Sequence, residues 1–243
     1  MDITRNTWVN VGAYVLALIG TLVAEAKGIH ALEYVCKPAL LLILSSWFFF
    51  NSRRYGDRFT LMVQLGLFFS LIGDLALMFL HLDEFNFLIG LGAFLLAHIC
   101  YTIAFVRNIS EVGGTEGWGL SSILSLVIAL FAILFSWELQ PRLDADLMLP
   151  VLSYVAVIAI MGIMACFRYM RTYPRSFWLV FTGALCFIAS DSLLATNRFI
   201  RPLSWAPMVL MVLYAAAQFL IASGCLLHVL DPDTIRRKQA TEA

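Results

Sequence analysis

The feature that most constrains this chain is a series of eight apolar runs, at about 8–24, 31–50, 60–80, 86–106, 119–137, 148–167, 177–196 and 205–229. An α-helix needs about 20 mostly apolar residues to cross a bilayer. Inside lipid every backbone N–H and C=O must be paired within its own segment, so runs of this length become helices and not loops or open strands. Polar breaks separate them: Asn51-Ser52-Arg53-Arg54, His81-Leu82-Asp83-Glu84, Gly113-Gly114, Glu138 to Asp146, Arg171 to Arg175 and Asn197 to Ser204. Of 243 residues, 61% are apolar and 13% charged, which leaves almost nothing for a soluble domain. The expected fold is an all-α integral membrane protein with eight transmembrane helices. It forms one domain over residues 1–230, followed by a polar cytoplasmic tail at 231–243.

Charge and cysteine content exclude other classes. Lys+Arg and Asp+Glu balance at 16 each, so no basic excess is available for nucleic acid. Cys36, Cys100, Cys166, Cys186 and Cys225 are scattered through the helices without a CxxC and read as small packing residues. Val9 to Val23 followed by Ala24-Glu25-Ala26 has the outline of a signal peptide, but its length suits a retained first helix. In the short loops, one side would carry Arg5, Arg53, Arg54, Arg58, Arg107, Arg168, Arg171, Arg175, Arg236, Arg237 and Lys238. The other would carry Lys27, Arg142, Arg198 and Arg201. The positive-inside rule then places both termini in the cytoplasm, and the chain reads as a multi-pass protein of a bacterial inner membrane.

An internal repeat is visible. Aligning Asp74 with Asp191 sets an offset of 117 residues that also pairs Arg54 with Arg171, Arg58 with Arg175, Gly66 with Gly183 and Leu77 with Leu194. It further pairs Lys37 with Tyr154 and Tyr101 with Gln218. Each half, about 1–112 and 113–230, holds four helices. An even number makes the repeats parallel, related by an axis along the membrane normal, and such repeats often bind ligand where they meet.

Ionisable side chains at membrane depth are costly and are functional candidates by default. Here they are Lys37, Asp74, His98 and Asp191, accompanied by Ser70, Tyr101, Tyr154, Ser190, Tyr214 and Gln218. Taken singly, each could be an interhelical hydrogen bonder or a structural ion pair. At 1.5 Å per residue both aspartates lie about 14 residues into helices 3 and 7, and the others converge on the same layer between the midplane and the outer face. A cluster of two carboxylates, a lysine, a histidine and several phenols at one depth favours a site over plain structure. There is no HExxH, GxSxG or P-loop, and the histidines His30, His81, His98 and His228 are too scattered for a zinc site. An intramembrane aspartyl protease would need Gly at position 71, which is Leu71.

Several segments together carry a resemblance. They are Lys37-Pro38, Phe69 to Met78 around Gly73-Asp74, and Gly90-Leu91-Gly92-Ala93-Phe94 with His98 and Tyr101. Ser190-Asp191-Ser192-Leu193-Leu194, Asn197-Arg198-Phe199, and Tyr214 with Gln218 complete the set. From Lys37 to Gln218 the chain resembles the YhhN-like lysoplasmalogenase family, eight-helix membrane proteins of bacteria and animals. That resemblance implies hydrolysis of the vinyl ether bond of lysoplasmenyl-ethanolamine or -choline to a fatty aldehyde and a glycerophospho-amine, with no metal or other cofactor. The partners it implies are a lysophospholipid substrate and membrane lipids. Such chemistry needs a proton donor, a nearby negative charge and a held water. Two aspartates sharing a low-dielectric site do not both ionise easily, so one can stay protonated as acid while the other keeps its charge. Asp74 and Asp191 are therefore the expected catalytic pair. Lys37, His98, Tyr101, Tyr154, Ser190, Asn197, Arg198, Tyr214 and Gln218 are expected to support catalysis or bind substrate. Arg198 and Arg201 could meet a phosphate, and Asp83 and Glu84 an amine. Three alternatives stay open: a proton-coupled lipid transporter or flippase, since repeats around midplane charges also describe transporters, a hydrolase of another lysolipid, and a structural membrane protein.

Overall fold

The computed structural model describes residues 5–52, 57–112 and 114–230. Arg53, Arg54, Gly113 and the tail with Arg236, Arg237 and Lys238 lie outside the described residues. Eight long helices account for nearly all of what is described: α1 Thr7–Lys27, α2 His30–Ser52, α3 Arg58–Met78, α4 Phe85–Val112, α5 Trp118–Leu139, α6 Ala145–Cys166, α7 Pro174–Ala195 and α8 Ala206–Leu230. Each is long and apolar enough to cross a membrane, and the expected spans fall within them to a few residues. The connections are short, so consecutive helices run in opposite directions.

Local chemistry sets the ends. Asn6 Oδ1 accepts from the backbone N–H of Trp8 at 3.0 Å, and Asp57 Oδ1 from that of Thr60 at 2.8 Å. Each satisfies a donor that the first turn leaves over. Gly28 closes α1 at φ 64°, a left-handed position that glycine takes without steric cost. Pro38 and Pro150 lie inside α2 and α6. Exposed Trp8, Trp118 and Trp178 stand near one end of the bundle, and exposed Trp137 and Trp205 near the other, the arrangement of aromatic belts.

The tightest pairings are α3 with α4 and α7 with α8. Small residues bring the backbones together, as is usual between membrane helices. A Cβ on Gly66 would meet the Tyr101 ring at 2.4 Å, and one on Gly183 would meet Ile221 at 2.8 Å and the Ala217 carbonyl at 3.0 Å. The outer helices differ. α1 packs on α2 and on α8, whereas α5 packs on α6 and the short turn that follows it. A bundle-wide core includes Tyr14, Phe48, Leu67, Tyr101, Phe105, Phe187 and Tyr214.

Candidate active site

The polar residues singled out above meet in two linked groups. The first is fully enclosed. Asp74, 3% exposed on α3, accepts a hydrogen bond from Tyr214 of α8, whose hydroxyl lies 2.7 Å from Oδ2. Gln218 Nε2 donates to that hydroxyl at 3.3 Å, and Gln218 Oε1 accepts from Tyr101 of α4 at 2.8 Å. A relay thus runs from Tyr101 through Gln218 and Tyr214 to the carboxylate. Lys37 of α2 and Asp191 both lie within electrostatic reach of Asp74, though no carboxylate among the described residues pairs directly with the lysine.

The second group surrounds Asp191 on α7. Tyr154 of α6 donates to Asp191 Oδ2. His98 of α4 is wholly buried; its Nε2 stands 3.0 Å from the Tyr154 hydroxyl and 3.4 Å from the same carboxylate oxygen. The His98 ring packs edge-on against Phe187 at 4.8 Å between centroids. Both contacts converge on Oδ2, so Oδ1 of Asp191 has no hydrogen-bond partner among the described residues. The Asp191 side chain remains 15% exposed.

Asp191 also lines an apolar cavity between α4, α5, α6 and α7. Asp191 and Tyr154 form part of its wall, with Phe94 of α4, Ile158 of α6, and Phe131 and Phe135 of α5. Arg198 and Phe199 border it too. They belong to a π-helical turn, Thr196–Ile200, that continues α7; such turns recur at functional sites. Arg198 is paired to Glu84 at 2.5 Å. Among the described residues no three His, Cys, Asp or Glu side chains gather as a metal site would require.

Lys37, Asp74, His98, Tyr101, Tyr154, Asp191, Tyr214 and Gln218 therefore come together, and Arg198 borders the cavity that Asp191 enters. Ser190 and Asn197 do not join either group through their side chains. Ser190 Oγ donates to the Leu210 carbonyl at 3.2 Å, tying α7 to α8. Asn197 Oδ1 accepts from the Leu203 N–H at 2.7 Å, holding the loop. Asp83 caps the start of α4 by accepting from the Phe85 N–H at 2.8 Å, and Arg201 is exposed away from the cavity lining.

Sequence reasoning missed Tyr14, which lies within electrostatic reach of Asp74 and donates to the Ala215 carbonyl at 2.8 Å. A signal existed, since Tyr14, Ala17, Thr21 and Ala24 make one buried face of α1 at spacings of three and four. It also missed the cavity and the π-helical turn, for which no sequence pattern exists.

Comparison with known proteins gives these residues a family. The chain is 32% identical over 146 residues to a protein of Mycobacterium bovis named lysoplasmalogenase, a match covering 57% of this chain and 50% of that protein. It is 31% identical over 191 residues to human lysoplasmalogenase TMEM86B, covering 79% of this chain and 73% of the relative. To bovine lysoplasmalogenase TMEM86A it is 33% identical over 163 residues, covering 66% and 63%. The chain thus spans half the length of its mycobacterial relative and nearly three quarters of the human one. No solved structure matches. The model of the YhhN family matches residues 32–225, a stretch that contains every residue of both polar groups, and the chain belongs to the YhhN family.

Proposed function

We propose that this protein is a lysoplasmalogenase, hydrolysing the vinyl ether bond of lysoplasmenyl-ethanolamine or -choline to a fatty aldehyde and a glycerophospho-amine. One observation carries the reading: Asp191, one of whose carboxyl oxygens has no hydrogen bond among the described residues, lines an apolar cavity, with a second aspartate in electrostatic reach. The names of the relatives support the same reaction.

The chemistry follows from the geometry. Asp191 gives its proton to the β-carbon of the vinyl ether, leaving an oxocarbenium ion whose positive charge the paired aspartates stabilise in a low-dielectric site. In this scheme Asp74 is the second carboxyl group, with Tyr214 donating to it and Lys37 within electrostatic reach. Tyr154 and His98 hold Asp191 by Oδ2, which leaves Oδ1 as the oxygen that delivers the proton in this scheme. Water adds to the oxocarbenium carbon as the Asp191 carboxylate takes its proton back. The hemiacetal then collapses to aldehyde and alcohol, so the enzyme ends as it began and one water is consumed.

The architecture supports two parallel repeats, about 1–112 and 113–230, as the frame of this site. An offset of 117 lays α3 on residues 175–195, against Pro174–Ala195 for α7. Tyr101 and Gln218, joined by a hydrogen bond, are 117 residues apart, as residues facing each other across a twofold axis would be. Both termini then face the cytoplasm and the cavity opens toward the outer leaflet.

The test is purified protein in detergent or liposomes, incubated with lysoplasmenyl-ethanolamine and assayed for free fatty aldehyde. Aldehyde release that disappears in Asp191→Asn supports the reading. Absence of aldehyde together with uptake of the lipid by sealed vesicles makes the protein a transporter.

A further inference from the structure

The outer rim of the cavity holds an ion pair with unusual surroundings. Arg198 presents its guanidinium over the Phe87 ring at 4.1 Å and near Phe199 at 5.7 Å. Its Nη2 reaches Glu84 Oε2 at 2.5 Å, yet the two partners differ: the Arg198 side chain is 24% exposed and that of Glu84 82%. The Arg198 Nε is buried without a hydrogen-bond partner among the described residues. Half of a planar fork suited to bidentate phosphate recognition is thus unused. The aromatic face beneath fixes the plane of that fork.

Spacing relates this rim to the acid. Arg198 follows Asp191 by seven residues along α7 and its π-helical continuation, roughly 10 Å along the axis, and both line the same cavity. In a lysoplasmalogen, seven bonds separate phosphorus from the vinyl β-carbon, about 9 Å when extended. A lipid with its β-carbon at Asp191 therefore carries its phosphate to Arg198, while the hydrocarbon beyond the double bond lies among Phe131, Ile158 and the other apolar lining residues.

We propose that Arg198 and Glu84 form a headgroup subsite for a zwitterionic phospho-amine, Arg198 taking the phosphate and Glu84 the ammonium. The assignment rests on the reading that a lysoplasmalogen-type lipid occupies the cavity. An incoming phosphate displaces the Glu84 carboxylate from the guanidinium, and the ammonium follows to the carboxylate just released. Each charge exchanges one partner for another, so a zwitterion leaves none unpaired. A headgroup with phosphate alone leaves Glu84 beside an added anion, so discrimination arises from repulsion as well as attraction. Of the other charges in the two loops that carry Glu84 and Arg198, Asp83 is already spent on the α4 cap and Arg201 is not part of the lining.

The test measures binding and turnover separately. Wild type, Arg198→Gln, Arg198→Lys and Glu84→Gln are given lysoplasmenyl-ethanolamine and its N-acetylated form, which keeps the phosphate but loses the ammonium. Affinity is read with the saturated ether analogues of both lipids, which cannot be hydrolysed at the vinyl ether. Arg198→Gln is expected to weaken binding and raise KM by about ten- to a hundredfold with kcat nearly unchanged, and Arg198→Lys to fall between. N-acetylation should weaken binding to wild type by roughly threefold to tenfold and have no effect on Glu84→Gln, a substitution at an exposed position that leaves folding intact. Equal penalties for N-acetylation in wild type and Glu84→Gln, or a loss in kcat alone for Arg198→Gln, would overturn the subsite. Headgroup-dependent binding without aldehyde release overturns the hydrolase reading and keeps the subsite; aldehyde release without headgroup dependence does the reverse.

Discussion

Asp74 and Asp191 are held in similar ways and placed in opposite surroundings. Each accepts a hydrogen bond from a tyrosine on a neighbouring helix, Tyr214 of α8 for one and Tyr154 of α6 for the other. Each also faces a basic side chain, Lys37 for Asp74 and His98 for Asp191. Around Asp74 the bundle is closed, because α1 packs on α2 and α8 and Tyr14 ties it to the Ala215 carbonyl. Around Asp191 it is open, because α5 packs on α6 and turns Phe131 and Phe135 toward a cavity. Two carboxylates of like chemistry thereby acquire different tasks. On the proposed mechanism, the one that lines the cavity exchanges a proton with the substrate, and the enclosed one supplies charge and position.

The sharpest way to break this division is to remove the titrating oxygens. Asp191→Asn and Asp74→Asn are each expected to lower kcat for aldehyde release by about 10³-fold or more, ~4 kcal/mol of barrier. The double variant should be little worse than either, since residues acting as a unit are not additive. Near-normal turnover in both single variants would dismiss the pair as the catalytic unit, and loss in Asp191→Asn alone would reduce Asp74 to a structural role.

The tyrosines probe the same contrast at lower amplitude. Tyr154→Phe removes the hydroxyl that fixes the oxygen opposite the reacting one, and kcat should fall by about 10²-fold. Tyr214→Phe acts one carboxylate further from substrate and should cost about tenfold. Steady-state kinetics of the two variants side by side checks the order; equal losses would mean that both aspartates stand in the same relation to substrate.

Packing provides a third contrast. Ala132 of α5 borders the cavity, so Ala132→Phe should fill the space proposed for lipid and lower kcat/KM about tenfold, with the melting temperature in detergent little changed. Ala17 of α1 is buried in a closed interface, and Ala17→Phe should cost about 1–3 kcal/mol of stability by overpacking. Thermal unfolding of both variants distinguishes an open half from a closed one. The smallest effect is expected from chelation. No three candidate ligands gather among the described residues, so a chelator should leave turnover unchanged; loss restored by added zinc would displace the carboxylate mechanism.

Much of this was legible in the chain. Lipid admits only helices of sufficient length, so eight apolar runs became eight helices with ends near Asp57, Gly28 and the other polar breaks. Counting residues along the spans also brought Asp74, Asp191, His98, Tyr101, Tyr154, Tyr214 and Gln218 to one level, because rise per residue is nearly constant in a helix. Ser190 and Asn197 looked like members of the site by neighbourhood, yet their side chains serve the backbone of Leu210 and Leu203. Adjacency in sequence does not say which way a side chain turns.

What the sequence determined by itself was the level along the bundle at which these residues meet, because that depends only on position along helices of nearly constant rise. The tertiary structure alone decided which aspartate opens to a cavity and which is sealed, and which of two arginines borders that cavity. In water an amphipathic stripe marks the face of a helix that will be buried. In lipid the outward and inward faces are both apolar, so the lean of α1 onto α8 and of α5 away from it leaves no periodic trace. It is settled by contacts such as Tyr14 with Ala215, residues 201 positions apart, which exist only once the bundle has assembled.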